Sequence, residues 1–190
     1  MTLLSPRFSG RALTVRNPWP FAIRFLDKDI ENRGKPAPDW LVGADAPWIS
    51  LHTGCHVATA EEWWNLGIMA TEAGWDRSTR GYEMTLTKGK ASHNLRICDD
   101  RSLSPMSEIP GVFRITSQDA PYRGPSLSSG WRVDQAWGYH IEYRPFPSPI
   151  PCTGPTPKPG KRGSSNLGWW RTPDAVTSRI AGMLAEVCGG

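Results

Sequence analysis

Proline and glycine limit the possible folds of this chain more than any other feature of its sequence. The 190 residues include 18 prolines and 19 glycines, close to one residue in five. Both residues weaken helices, so this content disfavours a helical bundle and favours short strands joined by many turns. Ten tryptophans argue against disorder, because each indole can bury about 200 Å² of surface. We therefore expect one folded, strand-rich domain over residues 1–190.

Charge, cysteines and hydropathy limit the possible partners and location. The net charge of +4 permits an anionic partner without requiring one. The sequence has neither an apolar run of about 18 residues nor a basic leader followed by an apolar segment, so we expect a cytoplasmic protein with no membrane partner. Four widely spaced cysteines without a CxxC pair favour reduced thiols.

One cluster contains residue types that bind metals. His52, Cys55 and His56 fall within five residues of each other. A tetrahedral zinc site needs a fourth ligand and usually draws on two separate ligand pairs, so this cluster is incomplete. We favour a buried strand end that carries histidine and cysteine, and we predict neither a metal nor a cofactor.

Alternating apolar residues predict five short strands. They are expected at residues 11–16, 28–33, 48–52, 111–116 and 138–143. The first should be half buried, with Leu13 and Val15 on the inner face. A further strand or turn is expected at residues 167–170, with one of Trp169 and Trp170 in the core and the other exposed.

Capping residues predict three helices. Asn17-Pro18 supplies an N-cap and a first-turn proline for a helix over residues 19–26. Thr59 and Glu62 fit a capping box that opens a second helix ending near Gly74, with an inner stripe of Trp63, Gly67 and Ala70 flanked by Trp64 and Ile68. A third helix follows residues 172–174, with an apolar face formed by Val176, Ile180, Met183, Leu184 and Val187. Together these elements indicate an α+β domain built on a small curved sheet or barrel.

Two long segments fall outside this regular pattern. Residues 75–105 should form a basic, partly extended insertion, which is either an electrostatic surface for a polyanion or a solvated loop. Its cations are Arg77, Arg80, Lys88, Lys90 and Arg96. The proline-rich segment 144–162 should run as a polyproline-like loop, since proline cannot pair in a central sheet. Lys161 and Arg162 make its end basic.

Lys28, Glu31 and Arg33 form the densest group of ionisable residues. In a strand, Glu31 and Arg33 point to the same face, and Lys28 lies at the entry to the strand. Arginine can grip a phosphate or a base edge with two hydrogen bonds, lysine adds a point charge, and a carboxylate can orient the arginine or act as a general base. Spacing alone nevertheless favours a solvated ion pair worth under about 1 kcal/mol.

Two consecutive segments resemble the opening of the ASCH family of domains. They are LTVRNPWPFA at 13–22 and LDKDIENR at 26–33, where the family has a strand ending in Gln-Pro-Trp-Ala, a helix, and a Gly-x-Lys-x-x-Glu-x-Arg strand. Similar segments follow in the family's order at 48–52, 109–115, 139–143, 149–154 and 167–170. Asn17, Pro20 and Asp27 stand where the family has glutamine, alanine and glycine.

The resemblance implies a PUA-like fold, a small mixed β-barrel with flanking helices and a cleft for nucleic acid or a nucleobase. It favours a ligand site at Lys28, Glu31 and Arg33 over the solvated pair. Neighbouring candidates divide by chemistry: Arg16 and Asn17 suit a phosphate near a helix N-terminus, and His52 and Thr53 end a strand facing the same cleft. Two aromatic rings are candidates for stacking on a base, namely Trp170 and Trp19, although Trp19 fits the core better.

Three functions are compatible with these residues. The first is binding of RNA, of another single-stranded nucleic acid or of a modified nucleoside, with an unstacked base in the cleft. The second is a hydrolase acting on RNA or on an acylated nucleoside, with Lys28 and Glu31 as catalytic residues. Some ASCH-like proteins are amidohydrolases of acylated cytidine and carry a threonine three residues after the lysine, where this chain has Glu31. The third is a protein-interaction domain that uses the proline-rich segment as a ligand.

Overall fold

A computed structural model of the chain describes residues 7–97, 107–121, 129–133, 135–154 and 169–188. The main sheet consists of β1 (Phe8–Val15), β2 (Ile30–Arg33), β3 (Trp48–Thr53), β7 (Glu108–Asp119), β8 (Trp137–Pro151) and β9 (Trp169–Arg171). A smaller sheet consists of β4 (Asp76–Arg80), β5 (Glu83–Lys88) and β6 (Ala91–Arg96). The helices are α1 (Trp19–Phe25), α2 (Ala60–Glu72) and α3 (Asp174–Cys188), and a short 3-10 helix spans Asp39–Leu41. Lys161 and Arg162 lie outside the described residues.

The six strands of the main sheet curl into half a barrel in the order β2-β8-β7-β3-β1-β9. β1 and β3 are parallel, and the other four neighbouring pairs of strands are antiparallel. This architecture confirms the α+β class and the curved sheet expected from the sequence. No helix in the described part of the chain has both the length and the apolar character needed to cross a membrane.

Three clusters of buried side chains hold these elements together. One fills the half-barrel, and it includes Leu13, Val15, Ile23, Leu51, Phe113 and Tyr139. Another lies between α2 and the small sheet, and it includes Leu26, Ile30, Trp63, Met84, Leu86 and Trp131. In the last, the predicted apolar face of α3 packs against β7 and β8, which confirms that face. Trp19 contacts both the half-barrel cluster and the α2 cluster, so α1 lies where the two meet.

The prediction that β1 is half buried is wrong. Ala12, Leu13, Thr14 and Val15 are all buried, so both faces of the strand are covered. β1 lies inside the sheet between β3 and β9, and Trp170 of β9 bonds to the side chain of Thr14. Interior strands with both faces covered lose the simple alternation on which the prediction rested.

The prediction that Asn17 caps α1 is also wrong. The helix begins after Pro18, and no side chain caps it. Asn17 is buried, and its amide nitrogen instead donates to the carbonyl of His56, 2.9 Å away, in the connection between β3 and α2. A buried amide needs such a partner because an unsatisfied one costs about 1–3 kcal/mol. By contrast, the capping box of Thr59 and Glu62 at the start of α2 is confirmed.

The basic segment 75–105 contains a three-stranded antiparallel meander over its described part. Its inner face carries Met84, Leu86 and Leu95, which pack under α2. Gly67 permits the close approach, because a Cβ at this position would collide with the sulfur of Met84. β4 is exposed along its whole length, and Arg77 and His93 occupy inner-face positions opposite Leu86, so the apolar alternation does not extend beyond β5.

The prediction that residues 144–162 form an unpaired loop is wrong over its first part. β8 continues to Pro151 and stays paired with β7, with Arg144 opposite Val112 and Ile150 opposite Ile109. Its prolines recur at every second position, 145, 147, 149 and 151, so the missing N–H groups all lie on one side of the strand and the other side can pair. Residues 144–151 are therefore part of a paired strand, and residues 155–162 lie outside the described part.

Candidate functional site

The turn between α1 and β2 folds Lys28 back under the helix. Leu26 N and Lys28 N both donate to the carbonyl of Ala22, at 2.9 and 3.2 Å. Asp27 between them has a φ of 54°, a left-handed conformation that aspartate adopts more readily than most residues. Leu26 is fully buried and anchors the turn, so the Lys28 side chain enters the interior and is only 3% exposed.

Glu31 holds one carboxylate between two cations. Its Oε2 lies 3.6 Å from Lys28 Nζ, and its Oε1 lies 3.1 Å from Arg33 Nε. Glu31 and Arg33 share a face of β2 as the sequence predicted, and both side chains are largely shielded from water. Arg33 is fixed in turn by a hydrogen bond from its Nη2 to the carbonyl of Thr14, 2.8 Å away in β1. The carboxylate is therefore held in one place by a neighbour that is itself anchored.

The ammonium of Lys28 is buried without a hydrogen bond among the described residues. Its only described polar contact is the ion pair with Glu31. Burial lowers the pKa of Lys28, and the nearby Glu31 carboxylate opposes that shift only in part. Removing an ammonium from water disfavours its charged form, so a fraction of neutral amine becomes accessible at lower pH than for a surface lysine.

A pocket of about 120 Å³ opens beside this group of charges. It is lined by Trp19, Lys28, Glu31, Asn32, Met69 and Val133. Pockets for drug-sized ligands have volumes of about 300–1,000 Å³, whereas benzene fits a cavity of about 150 Å³. The pocket therefore suits one ring or a group of similar size, and it offers an indole, an amine and a carboxylate to that group.

Asn32 lines the pocket, and both ends of its side-chain amide are hydrogen-bonded within the fold. Its Nδ2 donates to the carbonyl of Trp131 at 2.7 Å, and its Oδ1 accepts from Val133 N at 3.0 Å. These two bonds hold the 131–133 backbone against β2, and Val133 forms part of the rim. The charged side chains of the lining are Lys28 and Glu31.

His52 and Trp170 meet at Thr14, and they form a closed network inside the fold. Trp170 Nε1 donates to Thr14 Oγ1 at 3.0 Å, and Thr14 Oγ1 lies 3.0 Å from His52 Nδ1. His52 Nε2 lies 3.0 Å from the carbonyl of Cys152, which can only accept, so Nε2 carries the proton and Nδ1 accepts from the threonine. Burial lowers the pKa of His52, in agreement with a neutral ring. The prediction that one of the two adjacent tryptophans is exposed is wrong, because both are partly buried.

The remaining predicted ligand residues lie away from the pocket lining. Arg16 pairs with Glu62 of α2 at 3.0 Å, and Asn17 bonds to the connection before α2. Thr53 is fully buried, and its hydroxyl exchanges hydrogen bonds of 3.2 Å with the backbone of Glu108. The structure thus brings Trp19, Lys28 and Glu31 together, joins Arg33 to them, and uses the others within the fold.

The metal-ligating residue types do not converge in the described residues. No group of three or more His, Cys, Asp or Glu side chains is arranged there to hold an ion. Both ring nitrogens of His52 are engaged, Cys55 is exposed, and His56 Nε2 lies 2.7 Å from Glu62 Oε2.

The basic residues of the small sheet divide between its two faces. Arg80 and Arg96 lie opposite Glu83 in the registers of β4-β5 and β5-β6, so all three share the outer face. Arg77 instead lies over the ring of Trp64. Lys88 pairs with Asp27 at 3.6 Å and lies over the ring of Trp75, whereas Lys90 is exposed in a turn.

Four residues at or beside the site have no counterpart among the predicted ligands: Thr14, Asn32, Met69 and Val133. Asn32 lies within the predicted strand, and Met69 lies beside the predicted inner stripe of α2, so periodicity offered a signal for both.

The chain matches no protein-family model, and no curated protein is significantly similar to it.

Proposed function

We propose that this chain binds RNA, another single-stranded nucleic acid or a modified nucleoside by admitting one base into the pocket beside β2. One observation carries the proposal. A buried ammonium without a described hydrogen bond lines a cavity of single-ring size, next to a fixed carboxylate and a half-buried indole. A structural lysine of this kind is unusual because burying a charge without full hydrogen bonding is costly. We further propose that the half-barrel is a PUA-like barrel of the ASCH type.

The chemistry of the pocket is complementary to the edge of a base. Lys28 offers only donors, and an ionised Glu31 offers only acceptors. Bases present carbonyl or ring-nitrogen acceptors beside amino or imino donors, so an adjacent donor and acceptor can engage one edge together. Trp19 adds an apolar face, and stacking of a base on an aromatic ring contributes about 1–3 kcal/mol.

Single strands suit such a pocket better than duplexes. A base inside a helix is stacked and paired, whereas bases of loops and ends can turn outward into a protein cleft. Arg80, Arg96 and Lys90 give the small sheet exposed positive charge that is available to a phosphate backbone. We expect this contribution to weaken with added salt, and the contribution of the pocket to change little.

A thermal-shift and fluorescence screen of nucleosides, short RNA and short DNA tests the proposal, because a ligand that binds only the native state raises its stability. A hydrogen bond to a charged group contributes about 1.5–3 kcal/mol, so Lys28→Gln should weaken binding about tenfold to a hundredfold. Trp19→Ala should weaken it similarly. The matched controls are Lys35→Gln and Trp40→Ala, which change exposed residues outside the pocket. Equal binding by Lys28→Gln and wild type, with both folded, would contradict a role for the pocket.

Hydrolysis is a second candidate, favoured by one specific observation. Beside the cavity, the Lys28 ammonium, whose pKa is lowered, can donate a proton, and the Glu31 carboxylate 3.6 Å away can accept one. Release of cytidine from an acylated cytidine, or cleavage of RNA, would support this function if Lys28→Ala and Glu31→Gln both abolish it while their melting curves stay cooperative. Tight binding without turnover would leave binding as the function.

A further inference from the structure

We infer that Lys28 is a nucleophilic amine that condenses with a small uncharged aldehyde in the pocket, forming a protonated imine that Glu31 stabilises. This goes beyond base binding and does not depend on it. The geometry that carries it is the position of Nζ: buried, without a described hydrogen bond, and on the wall of a cavity. A lysine desolvated in an apolar site, or placed near a second cation, is the arrangement that activates amines toward carbonyl compounds.

The neighbours of Lys28 meet the first condition, and a second cation lies one carboxylate away. Trp19 and Met69 supply apolar walls, and Arg33 lies on the far side of the same carboxylate. The lowered pKa of Lys28, caused mainly by burial, is consistent with access to the neutral amine. The described lysines Lys35, Lys88 and Lys90 are exposed, so Lys28 is the lysine of the described chain that is set apart chemically.

The reaction balances without an oxidant or a reductant. The ammonium transfers a proton to Glu31, and the neutral Nζ forms a bond to the carbonyl carbon as the C=O π bond breaks. A second proton passes from the nitrogen of the adduct to its oxygen, which gives a carbinolamine. Glu31 then returns its proton to that hydroxyl, the C–O bond breaks, water leaves, and the nitrogen lone pair forms the C=N bond. One ammonium and one aldehyde give one protonated imine and one water, with the same net charge. The product cation lies where the ammonium lay, so the pairing with Glu31 at 3.6 Å is preserved.

The lining also limits which aldehydes enter. The volume of about 120 Å³ admits a body no larger than about one ring. A carboxylate on the aldehyde would lie close to Glu31 and be repelled, so benzaldehyde should be preferred to glyoxylate. Val133 lines the pocket and is 43% exposed, so a larger side chain at this position should hinder entry.

Reductive trapping tests the inference on the intact chain. The folded protein is incubated with benzaldehyde or glyoxylate and cyanoborohydride, and each lysine is then followed by peptide mass mapping. We expect benzaldehyde to modify buried Lys28 before exposed Lys35 and Lys90, and glyoxylate to lose that preference. Val133→Trp, which narrows the entrance and keeps the amine, should slow the Lys28 adduct and leave the Lys90 adduct unchanged.

Other outcomes would overturn the inference. Labelling confined to Lys35 and Lys90 in protein with an intact melting transition would do so, and so would a Lys28 adduct that forms only in urea. An adduct that forms as quickly in Val133→Trp would show that the pocket does not control access. A nucleic-acid screen without binding leaves these results unaffected, so the two proposals fail separately.

Discussion

Replacing Lys28 by methionine tests whether the buried cation stabilises the fold or serves a ligand. Lys28 is 3% exposed, and its ammonium has exchanged water for one ion pair at 3.6 Å. In the variant, Glu31 keeps Arg33 Nε at 3.1 Å, so the carboxylate is not left without a partner. Apolar replacement of a whole buried ion pair is often neutral or stabilising, and Lys28→Met leaves no unpaired charge behind, so we expect the free energy of unfolding to rise by between zero and about 2 kcal/mol at neutral pH.

The pH dependence of this difference has a defined sign. Burial lowers the pKa of Lys28 in the folded protein, whereas the unfolded chain keeps the ordinary value of about 10.4. Between the two values the folded state has released the proton and the unfolded state still holds it. The stability of the wild type therefore increases with pH in this range, by up to about 1.4 kcal/mol per pH unit. Lys28→Met lacks this gain, so its advantage should shrink as the pH rises toward about 10.

Urea denaturation followed by tryptophan fluorescence measures both effects. Lys35→Met is the control, since it removes an exposed charge from the same part of the chain. Equal m values for the three proteins make their midpoints comparable. A loss of about 3 kcal/mol or more in Lys28→Met at neutral pH would refute the reasoning, because Lys28 would then be a structural partner that the buried carboxylate requires.

Two further substitutions test the packing around the site, again by urea denaturation. Thr14→Val keeps the shape of the side chain but removes the hydrogen-bond partner of Trp170 Nε1 and His52 Nδ1. We therefore expect the free energy of unfolding to fall by about 2–4 kcal/mol, and to fall only slightly for the exposed control Thr116→Val. Gly67→Ala drives a methyl group into the buried Met84 side chain, so overpacking should outweigh the gain in helix propensity and cost about 1 kcal/mol. Gly182→Ala in α3 meets nothing within 4 Å and should instead stabilise the protein by about 0.5–1 kcal/mol. Equal effects of the two glycine replacements would exclude the close approach of α2 and β5.

The charged part of the site could be predicted from the sequence because it is local. Lys28, Glu31 and Arg33 lie within six residues, and strand geometry alone places the last two on one face. The pocket that they line is not local. Met69 comes from α2. Val133 comes from a segment about 100 residues after β2 in the sequence, and the side-chain amide of Asn32 holds that segment to β2. No periodicity within one element encodes such a meeting of distant segments.

The errors in the predicted elements have a common physical origin. Thr14 and Asn17 are polar residues that the sequence pattern assigned to a solvent face and to a helix cap, yet both are buried with tertiary partners. The prolines of β8 were assigned to a loop, yet their regular spacing leaves one side of the strand able to pair with β7. In each case a residue with a strong local preference is placed by contacts that lie 30 or more residues away.

The meeting of two core clusters at the pocket explains why the Lys28 ammonium has no hydrogen bond in the described fold. Trp19 packs against both clusters, β2 forms one wall, and Met69 belongs to the side chains packed on the α2 cluster. Apolar groups therefore exclude water on both sides of Nζ. Glu31 cannot close the remaining distance, because Arg33 holds its other oxygen and is itself bonded to β1. The ammonium is thus left at 3.6 Å from its counter-ion, and an acceptor brought by a ligand would supply the hydrogen bond that the described fold does not provide.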